Sequence, residues 1–205
     1  METFADKIKK EEYLKDVFYV AKELLLGAYL CSSIDNKFTV GKITELEVYI
    51  GAEDKASHAY PNKKTPRNEV MFEAGGKSYV FFVYGMHNQF NVVTSPKNTA
   101  NAILIRSLEP VFGIEIMKER RKTDNILNLT TGPGKLCKAL AITREHNALD
   151  LTGNTLWISP KSENVEVIAD KRIGIDYAKE YKDKPWRFMI KNNKFISKKP
   201  SSEKS

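Results

Sequence analysis

Apolar side chains recur at helical spacing near the start of the chain and at every second position soon afterwards. In residues 13–25 they stand three and four positions apart, with lysine and glutamate between them, which predicts an amphipathic helix that ends or bends near Gly27. In residues 40–50 apolar and polar positions alternate, which predicts a strand. Shorter runs predict strands at 30–34, 102–108, 165–168 and 186–190 and near Trp157, a hairpin at about 77–94, and helices at 114–121 and 135–141.

The alternating strand at 40–50 carries two different sets of side chains. One set is Thr44, Leu46, Val48 and Ile50, and the other is Ile43, Glu45, Glu47 and Tyr49. Because the first set is mainly apolar, we expect it to face the core. Glu47 and Tyr49 then project side by side from the opposite face of a rigid element.

The mixture of predicted helices and strands indicates a single mixed α/β domain of the α+β class. The chain has 205 residues, and we find neither an internal repeat nor a linker that would divide it into two domains. We therefore expect one domain over residues 1–196. Residues 197–205 are polar, contain three lysines and are expected to form a disordered tail.

Composition limits the kinds of function without selecting one. The 33 basic and 26 acidic residues give a net charge of +7, which favours an anionic partner but does not separate nucleic acid from an acidic membrane or simple solubility. The two distant cysteines, Cys31 and Cys137, exclude a disulfide framework and suggest a reducing compartment. No apolar stretch is long enough to span a bilayer, and no signal peptide is visible. We expect a cytoplasmic protein.

The chain lacks the common nucleotide-binding and hydrolase motifs, and its three histidines lack the clustered spacing of a metal site. Its chemistry is concentrated elsewhere. Glu47 and Tyr49 precede a loop, 55–67, that carries His58 and four bases but no acid, and an aromatic hairpin follows. Aromatic planes beside polar groups can hold an unstacked base. The residues alone also allow a plainer interpretation, in which the hairpin aromatics are core residues and Glu47 is a surface carboxylate.

An ordered set of short motifs resembles the alkyladenine DNA glycosylase family, the 3-methyladenine DNA glycosylases of the mammalian alkylpurine type. The resemblance spans about residues 15–190. Each motif is weak, but the set in this order and spacing is specific. The motifs are ITELEVYIG at 43–51, DKASH at 54–58, TPRN at 65–68, MF at 71–72, YV at 79–80, YGM at 84–86, Asn91, LIRSLEP at 104–110, GPGKLC at 132–137, RIGI at 172–175 and PWRF at 185–188.

The resemblance implies a fold, an activity and a partner. The implied fold is a single domain around a curved antiparallel sheet with a protruding hairpin that intercalates into DNA. The implied enzyme flips a damaged purine out of duplex DNA and hydrolyses its N-glycosidic bond, and we expect a monomer because one domain can close on one lesion. It needs no metal, no cofactor and no obligate protein partner, does not bind membranes, and has no AP-lyase activity. The lysine-, asparagine- and isoleucine-rich composition is typical of an AT-rich bacterial genome, so we expect a nucleoid-associated bacterial protein.

The resemblance also implies the catalytic residues. Glu47 corresponds to the general base that positions and deprotonates the attacking water, and Arg106 to the residue that helps hold that water. The main-chain carbonyl of Ile173 corresponds to a third water ligand. A carboxylate suits this reaction because the sugar passes through an oxocarbenium-like state. For Arg106, a structural ion pair with a buried acid remains an alternative.

Four positions correspond to the walls of the base pocket. Tyr49 and His58 match residues that stack on and hydrogen-bond to the flipped base. Phe81 stands where family members often have tyrosine, so stacking is kept and a hydroxyl is lost. Asn91 matches a residue that disfavours normal guanine by crowding its exocyclic amine. Taken alone, His58 could be an ordinary loop hydrogen-bonder and Asn91 a strand-edge residue.

Other positions correspond to DNA contacts. Tyr84 matches the intercalating side chain at the hairpin tip, and Met86 stands next to it. The basic segments 55–67 and 118–144 are expected to contact phosphates, with Arg67, Gly134, Lys135 and the main-chain amides of 132–135 as the best individual candidates. For any single lysine, a solvated basic face is the alternative.

The expected substrates are alkylated or deaminated purines such as 3-methyladenine, 7-methylguanine and hypoxanthine. The cationic lesions already carry a good leaving group, whereas neutral hypoxanthine needs protonation. Two other classes stay open: a lesion-binding protein without turnover, and a basic RNA- or ribosome-associated protein with an accidental aromatic hairpin.

Overall fold

Two long neighbouring strands, β2 (Lys37–Tyr49) and β5 (Asn101–Phe112), form the centre of an antiparallel sheet. The computed structural model describes residues 4–83 and 85–201. Its strands are β1 (Tyr29–Ile34), β2 (Lys37–Tyr49), β3 (Lys77–Val83), β4 (His87–Thr94), β5 (Asn101–Phe112), β6 (Leu156–Ser159), β7 (Val167–Asp170) and β8 (Arg187–Ile190). Their order is β3-β4-β5-β2-β1-β6, with β8 paired to both β2 and β7. Because these eight strands join one sheet, the described residues form a single α+β domain, which confirms the predicted class.

The N-terminal helical segment begins later than its pattern predicts. The carboxylate of Asp16 accepts hydrogen bonds from the N–H groups of Phe18 and Tyr19, both at 3.0 Å. This N-cap starts α1 (Val17–Tyr19), which continues as a π-helical segment (Val20–Leu25). A separate 3₁₀ turn, Lys10–Leu14, precedes it. One continuous helix over 13–25 is therefore wrong, although its helical character from Val17 onwards is right.

The later helices lie close to their predicted positions. Helix α2 (Ile114–Arg121) has the predicted bounds. Helix α3 (Pro133–Ala139) begins two residues before the predicted 135–141, because a proline at the first helical position is already constrained to helical φ. Within residues 4–83 and 85–201, no helix is both long and apolar enough to cross a membrane. Further 3₁₀ segments are Glu69–Phe72, Ile126–Asn128, Arg144–His146 and Asp176–Asp183.

The sheet is buried on both faces where β3, β4 and β5 meet. Val80 and Val92 belong to the main core, which also contains buried residues of α1 and α3. Their neighbours Tyr79 and Val93 point the other way, into a smaller cluster with the Glu69–Phe72 segment. The side of the sheet that carries this smaller cluster also carries the candidate site.

The faces of β2 differ from the expected alternation. Leu46 and Val48 face the main core as predicted, but Ile43, assigned to the opposite face, is also in that core. The register between β2 and β5 shifts on both sides of Glu45, and an irregularity of this kind lets Ile43 and Leu46 share one face. Glu45 and Glu47 are both fully buried. The interpretation of Glu47 as a surface carboxylate is therefore wrong.

The C-terminal segment packs against the sheet instead of leaving it. The Ser197 N–H donates to a carboxylate oxygen of Glu45 at 2.5 Å, and the Ser201 N–H donates to Asp170 at 2.8 Å. The side chain of Thr44 donates to the carbonyl of Phe195 at 2.5 Å. The expectation of a disordered tail from Ser197 is thus wrong for residues 197–201, because buried charges hold the polar segment. Residues 202–205 lie outside the described residues.

Candidate active site

A cavity of about 350 Å³ lies where strands β2 to β5 meet the segment 173–177. Its walls are strongly aromatic, and they include six positions that the sequence analysis singles out. Those six are Tyr49, His58, Phe81, Asn91, Arg106 and Ile173. Its other lining residues include Tyr79, Val83, Gln89, Leu104, Pro133 and Tyr177. Residues as far apart in the chain as Tyr49 and Tyr177 thus converge on one cavity.

The carboxylate of Glu47 lies directly behind the cavity wall. One oxygen, Oε1, accepts a hydrogen bond from the main-chain N–H of Ile173 at 2.7 Å. The other, Oε2, accepts one from the Tyr49 hydroxyl at 2.8 Å. The phenol stays protonated because burial, and then the negative charge of Glu47, raise the pKa of Tyr49 well above its ordinary value. Glu47 and Tyr49 therefore share one face of β2, as predicted.

Arg106 joins Glu47 to a second buried carboxylate. Its Nη1 lies 3.3 Å from Glu47 Oε1, and its Nε lies 3.3 Å from Glu45 Oε1. Burial opposes the charge of the guanidinium, but the two carboxylates outweigh it and raise the pKa of Arg106. Arg106 therefore forms the ion pair with a buried acid that the sequence analysis gave as the alternative to a role in holding water. It also lines the cavity.

A buried ion pair supports the Tyr49 wall. The guanidinium of Arg172 lies 4.6 Å from the centre of the Tyr49 ring and donates to the carbonyl of Val48 at 2.9 Å. It also makes a two-pronged contact with Asp54, whose Oδ1 accepts from Nη2 at 2.8 Å. Both charged side chains are fully buried. The Tyr49 ring is therefore held by a cation that is itself fixed in place.

His58 forms the polar end of an aromatic group. Its Nδ1 lies 2.8 Å from the Tyr79 hydroxyl, and its ring meets Phe81 edge-on with centroids 4.6 Å apart. The guanidinium of Arg67 lies 5.5 Å from the Phe81 ring centre. On the same side, the amide of Asn91 donates to the carbonyl of Tyr79 at 3.1 Å. These contacts leave the stacking wall apolar and place one imidazole at its edge.

We expect His58 to stay neutral across the physiological pH range. Although part of the residue reaches solvent, partial burial of the ring, followed by the charge of Arg67, lowers its pKa to about 4. Because unfolded histidine binds its proton below about pH 6.5, folding stability should fall as the pH drops from there towards 4. NMR should show His58 ring C–H shifts that are constant from about pH 5.5 to 8. A titration midpoint near 6.5 would contradict this, and Arg67→Ala should move the midpoint upward.

Comparison with known proteins assigns the chain to a family. The family model for methylpurine-DNA glycosylase (MPG) matches residues 11–194. The chain belongs to the methylpurine-DNA glycosylase family. Curated relatives named "Putative 3-methyladenine DNA glycosylase" are similar over most of their lengths. The protein from Clostridium novyi is 45% identical over 201 residues, which cover 94% of this chain and 99% of the relative. The one from Clostridium acetobutylicum is 46% identical over 200 residues, covering 93% and 97%. A Chlamydia felis relative is 49% identical over 177 residues, covering 85% and 91%.

None of the predicted DNA-contacting residues that the structure describes lines the cavity itself. Met86 is 67% exposed beside Gly85, which has a φ of +67°. Tyr84, the predicted intercalating residue, lies outside the described residues. Gly134 packs against His87, since an added Cβ would approach that ring to 3.0 Å. The Lys135 ammonium bonds to the neutral amide of Asn128, so no acid neutralises it in that contact.

The basic segments are only partly available for phosphate binding. Arg120 donates to the carbonyl of Ala139 at 3.0 Å, and Arg121 to that of Leu129 at 3.0 Å. Lys118 and Lys55 form ion pairs with Glu115 and Glu180, at 2.8 and 2.6 Å. Arg120 and Arg121 therefore fasten α2 to its neighbours, and the surplus of positive charge is smaller here than the sequence alone suggests.

Sequence reasoning missed the charged residues that support the site. It gave no role to Glu45, Asp54, Arg172, Arg187 or Ser197, although the first four stand in the family motifs. The sequence feature that could have found them is a charged residue inside an otherwise apolar strand or motif. Such a residue predicts a buried ion pair, but the sequence does not show which residue is its partner. Among the described residues, no group of three or more histidine, cysteine, aspartate or glutamate side chains could hold a metal ion.

Proposed function

We propose that the protein is a monofunctional DNA glycosylase that removes alkylated and deaminated purines from duplex DNA. The observation that carries the proposal is the buried carboxylate of Glu47 directly behind an aromatic cavity of about 350 Å³. Membership of the methylpurine-DNA glycosylase family supports hydrolysis of an N-glycosyl bond. The name shared by the bacterial relatives supports 3-methyladenine as one substrate.

The flipped base would enter the cavity and lie between its aromatic walls. A volume of about 350 Å³ falls within the usual range of small-molecule pockets, about 300–1,000 Å³. Tyr49 and Phe81 would provide stacking surfaces, and His58 would hydrogen-bond the base edge. Asn91, held by the Tyr79 carbonyl, would crowd the exocyclic amine of normal guanine. Selection would then rest on shape rather than on strong attraction to a lesion.

Hydrolysis would use a water molecule held by Glu47, Arg106 and the main-chain carbonyl of Ile173. The water oxygen bonds to C1′ of the sugar while the C1′–N bond breaks, and the bonding electron pair leaves with the base. Glu47 accepts the proton of the water, and its charge stabilises the oxocarbenium-like sugar. The products are the free base and an abasic site. The described lining of the cavity contains no lysine to form a Schiff base, so the DNA strand should stay intact.

The hairpin tip would keep the duplex open while the base is outside the helix. Exposed Met86 is proposed to enter the minor groove beside Tyr84, the residue assigned by resemblance. Unstacking costs a few kcal/mol, which the new protein–DNA contacts offset. Arg67, Gly134 and Lys135 are proposed to contact phosphates, and the Arg67 guanidinium lies 5.5 Å from the ring centre of Phe81 in the cavity wall.

Cationic lesions should leave faster than neutral ones. Neutral hypoxanthine needs a proton to leave, and the lowered pKa of His58, about 4, makes that imidazole a poor donor at neutral pH. In single-turnover assays on matched duplexes, 7-methylguanine should be released at least about tenfold faster than hypoxanthine. The product strands should break only after alkali treatment.

Two results would overturn the proposal. Tight binding to an abasic analogue without release of either base would indicate a lesion-binding protein. Equal binding to damaged and undamaged duplexes, unaffected by Met86→Ala, would indicate a general nucleic-acid-binding protein.

A further inference from the structure

The C-terminal segment reaches the back of the candidate active site through Ser197. The Ser197 hydroxyl accepts a hydrogen bond from Arg106 Nη2 at 3.2 Å and donates one to Glu45 Oε1 at 2.9 Å. The Ser197 N–H donates to the other oxygen of Glu45 at 2.5 Å. Ser197 lies beyond residue 194, where the family match ends. This chain therefore uses a residue outside the matched region to contact the cavity arginine.

Glu45 is held firmly enough to act as an anchor. Besides Ser197 and Arg106, it pairs with Arg187, whose Nη1 lies 2.9 Å from Oε1. Arg187 is itself fixed, because it pairs with Asp170 at 2.6 Å and is 2% exposed. The Glu45 carboxylate thus contacts two arginines and accepts from both the N–H and the hydroxyl of Ser197, so it has little freedom to move.

Arg106 is divided between this anchor and the proposed catalytic carboxylate. Its Nε side faces Glu45 and Ser197, while Nη1 reaches Glu47 with a single contact of 3.3 Å. Without other partners, an arginine side chain favours a bidentate pair, in which two of its N–H groups donate to the two oxygens of one carboxylate. The hydrogen bonds from Arg106 to Glu45 and Ser197 hold its guanidinium so that only Nη1 contacts Glu47. The Glu47 carboxylate is then still able to accept a hydrogen bond from water.

We propose that Ser197, acting with Glu45, is a positioning residue that sets how Arg106 approaches Glu47. The inference rests on the proposed glycosylase function. Without the Ser197 hydroxyl, Nη2 of Arg106 loses its acceptor in a buried place, which is costly. The guanidinium then turns towards Glu47 and occupies the carboxylate oxygen that the attacking water needs. The chemical step slows, whereas DNA binding, which uses other surfaces, does not change.

Three full-length variants separate positioning from simple stability. Ser197→Ala removes the hydroxyl but keeps the main-chain N–H, and Ser197→Thr keeps both. Ser201→Ala is the matched control, because Ser201 lies in the same segment but bonds to Asp170. Each is measured for single-turnover release of 7-methylguanine, affinity for a duplex with an abasic analogue, and the NMR signal and solvent exchange of the Arg106 Nε–H.

Ser197→Ala should release base about tenfold more slowly, which corresponds to about 1.4 kcal/mol of activation free energy. Its affinity for the abasic duplex should stay within about twofold of wild type. Ser197→Thr should restore most of the rate, and Ser201→Ala should match wild type. The Arg106 Nε–H signal should shift and exchange faster only in Ser197→Ala.

The inference is overturned if Ser197→Ala releases base at the wild-type rate with an unchanged Arg106 signal. It is also overturned if Ser197→Thr is as slow as Ser197→Ala, or if Ser201→Ala is equally slow. A wild-type protein that releases no base would refute the proposed function instead. The Arg106 signal would still decide whether Ser197 positions that side chain.

Discussion

Replacing Glu47 by glutamine is expected to slow release of the damaged base by about a thousandfold, the middle of the range for loss of a general base. Glutamine can place its single oxygen where Oε1 accepts from the Ile173 N–H, and its NH₂ group can then donate to the Tyr49 hydroxyl, which is able to accept as well as donate, so the local fold should survive. It cannot take a proton from water, and it carries no charge to stabilise the sugar cation. Single-turnover release of 7-methylguanine measures the effect.

The Glu47→Gln prediction has a matched control and a clear contradiction. Glu53→Gln makes the same chemical change at an exposed position in the turn that follows β2, and it should leave the rate unchanged. Binding of Glu47→Gln to a duplex with an abasic analogue should remain within about threefold of wild type. Release within about tenfold of wild type would remove Glu47 from the role of general base.

Replacing Asp54 by alanine is expected to destabilise the fold by about 3–5 kcal/mol, because it leaves the Arg172 guanidinium buried without its carboxylate. The Ala56 N–H also loses its acceptor, which lies at 2.9 Å. Since Arg172 packs on the Tyr49 ring, the cavity wall should loosen as well. Urea denaturation, followed by tryptophan fluorescence, measures the free energy of unfolding.

Lys55→Ala is the control for Asp54→Ala. Lys55 stands next to Asp54 in the chain, but its ion pair with Glu180 is exposed, and such pairs contribute little. Its urea midpoint should therefore match that of wild type. A loss of less than about 1 kcal/mol for Asp54→Ala would mean that Arg172 finds another acceptor, and the buried pair would not support the cavity wall.

The fold was predictable where one face of an element is apolar and the other is not. The alternation around Leu46 and Val48 places β2, and the aromatic and β-branched run places the hairpin of β3 and β4. The position of Ile43 was not predictable, because a register shift against β5 depends on a strand about 60 residues later. Local pattern also failed to start the first helix correctly, since the Asp16 cap overrides periodicity.

The candidate site was predictable only as a set of residues, not as an arrangement. Resemblance supplied Tyr49, His58, Phe81 and Asn91 as one pocket, and the fold brings them to one cavity. The ion network behind that cavity was invisible, because Glu45 and Ser197 are 152 positions apart and nothing local marks them as partners. The tail prediction failed for the same reason, since composition describes a segment's own solubility and not the buried charges that can hold it.

Chemical identification of the product released from methylated duplex DNA tests the central claim most directly. Wild-type protein in excess over DNA should release 3-methyladenine as the free base in the first turnover, leaving an unbroken strand with an abasic site. Undamaged DNA of the same sequence should yield no free base. Retention of every methylated base by a protein that binds abasic-analogue DNA tightly would contradict hydrolysis at Glu47 and leave lesion binding as the function of this cavity.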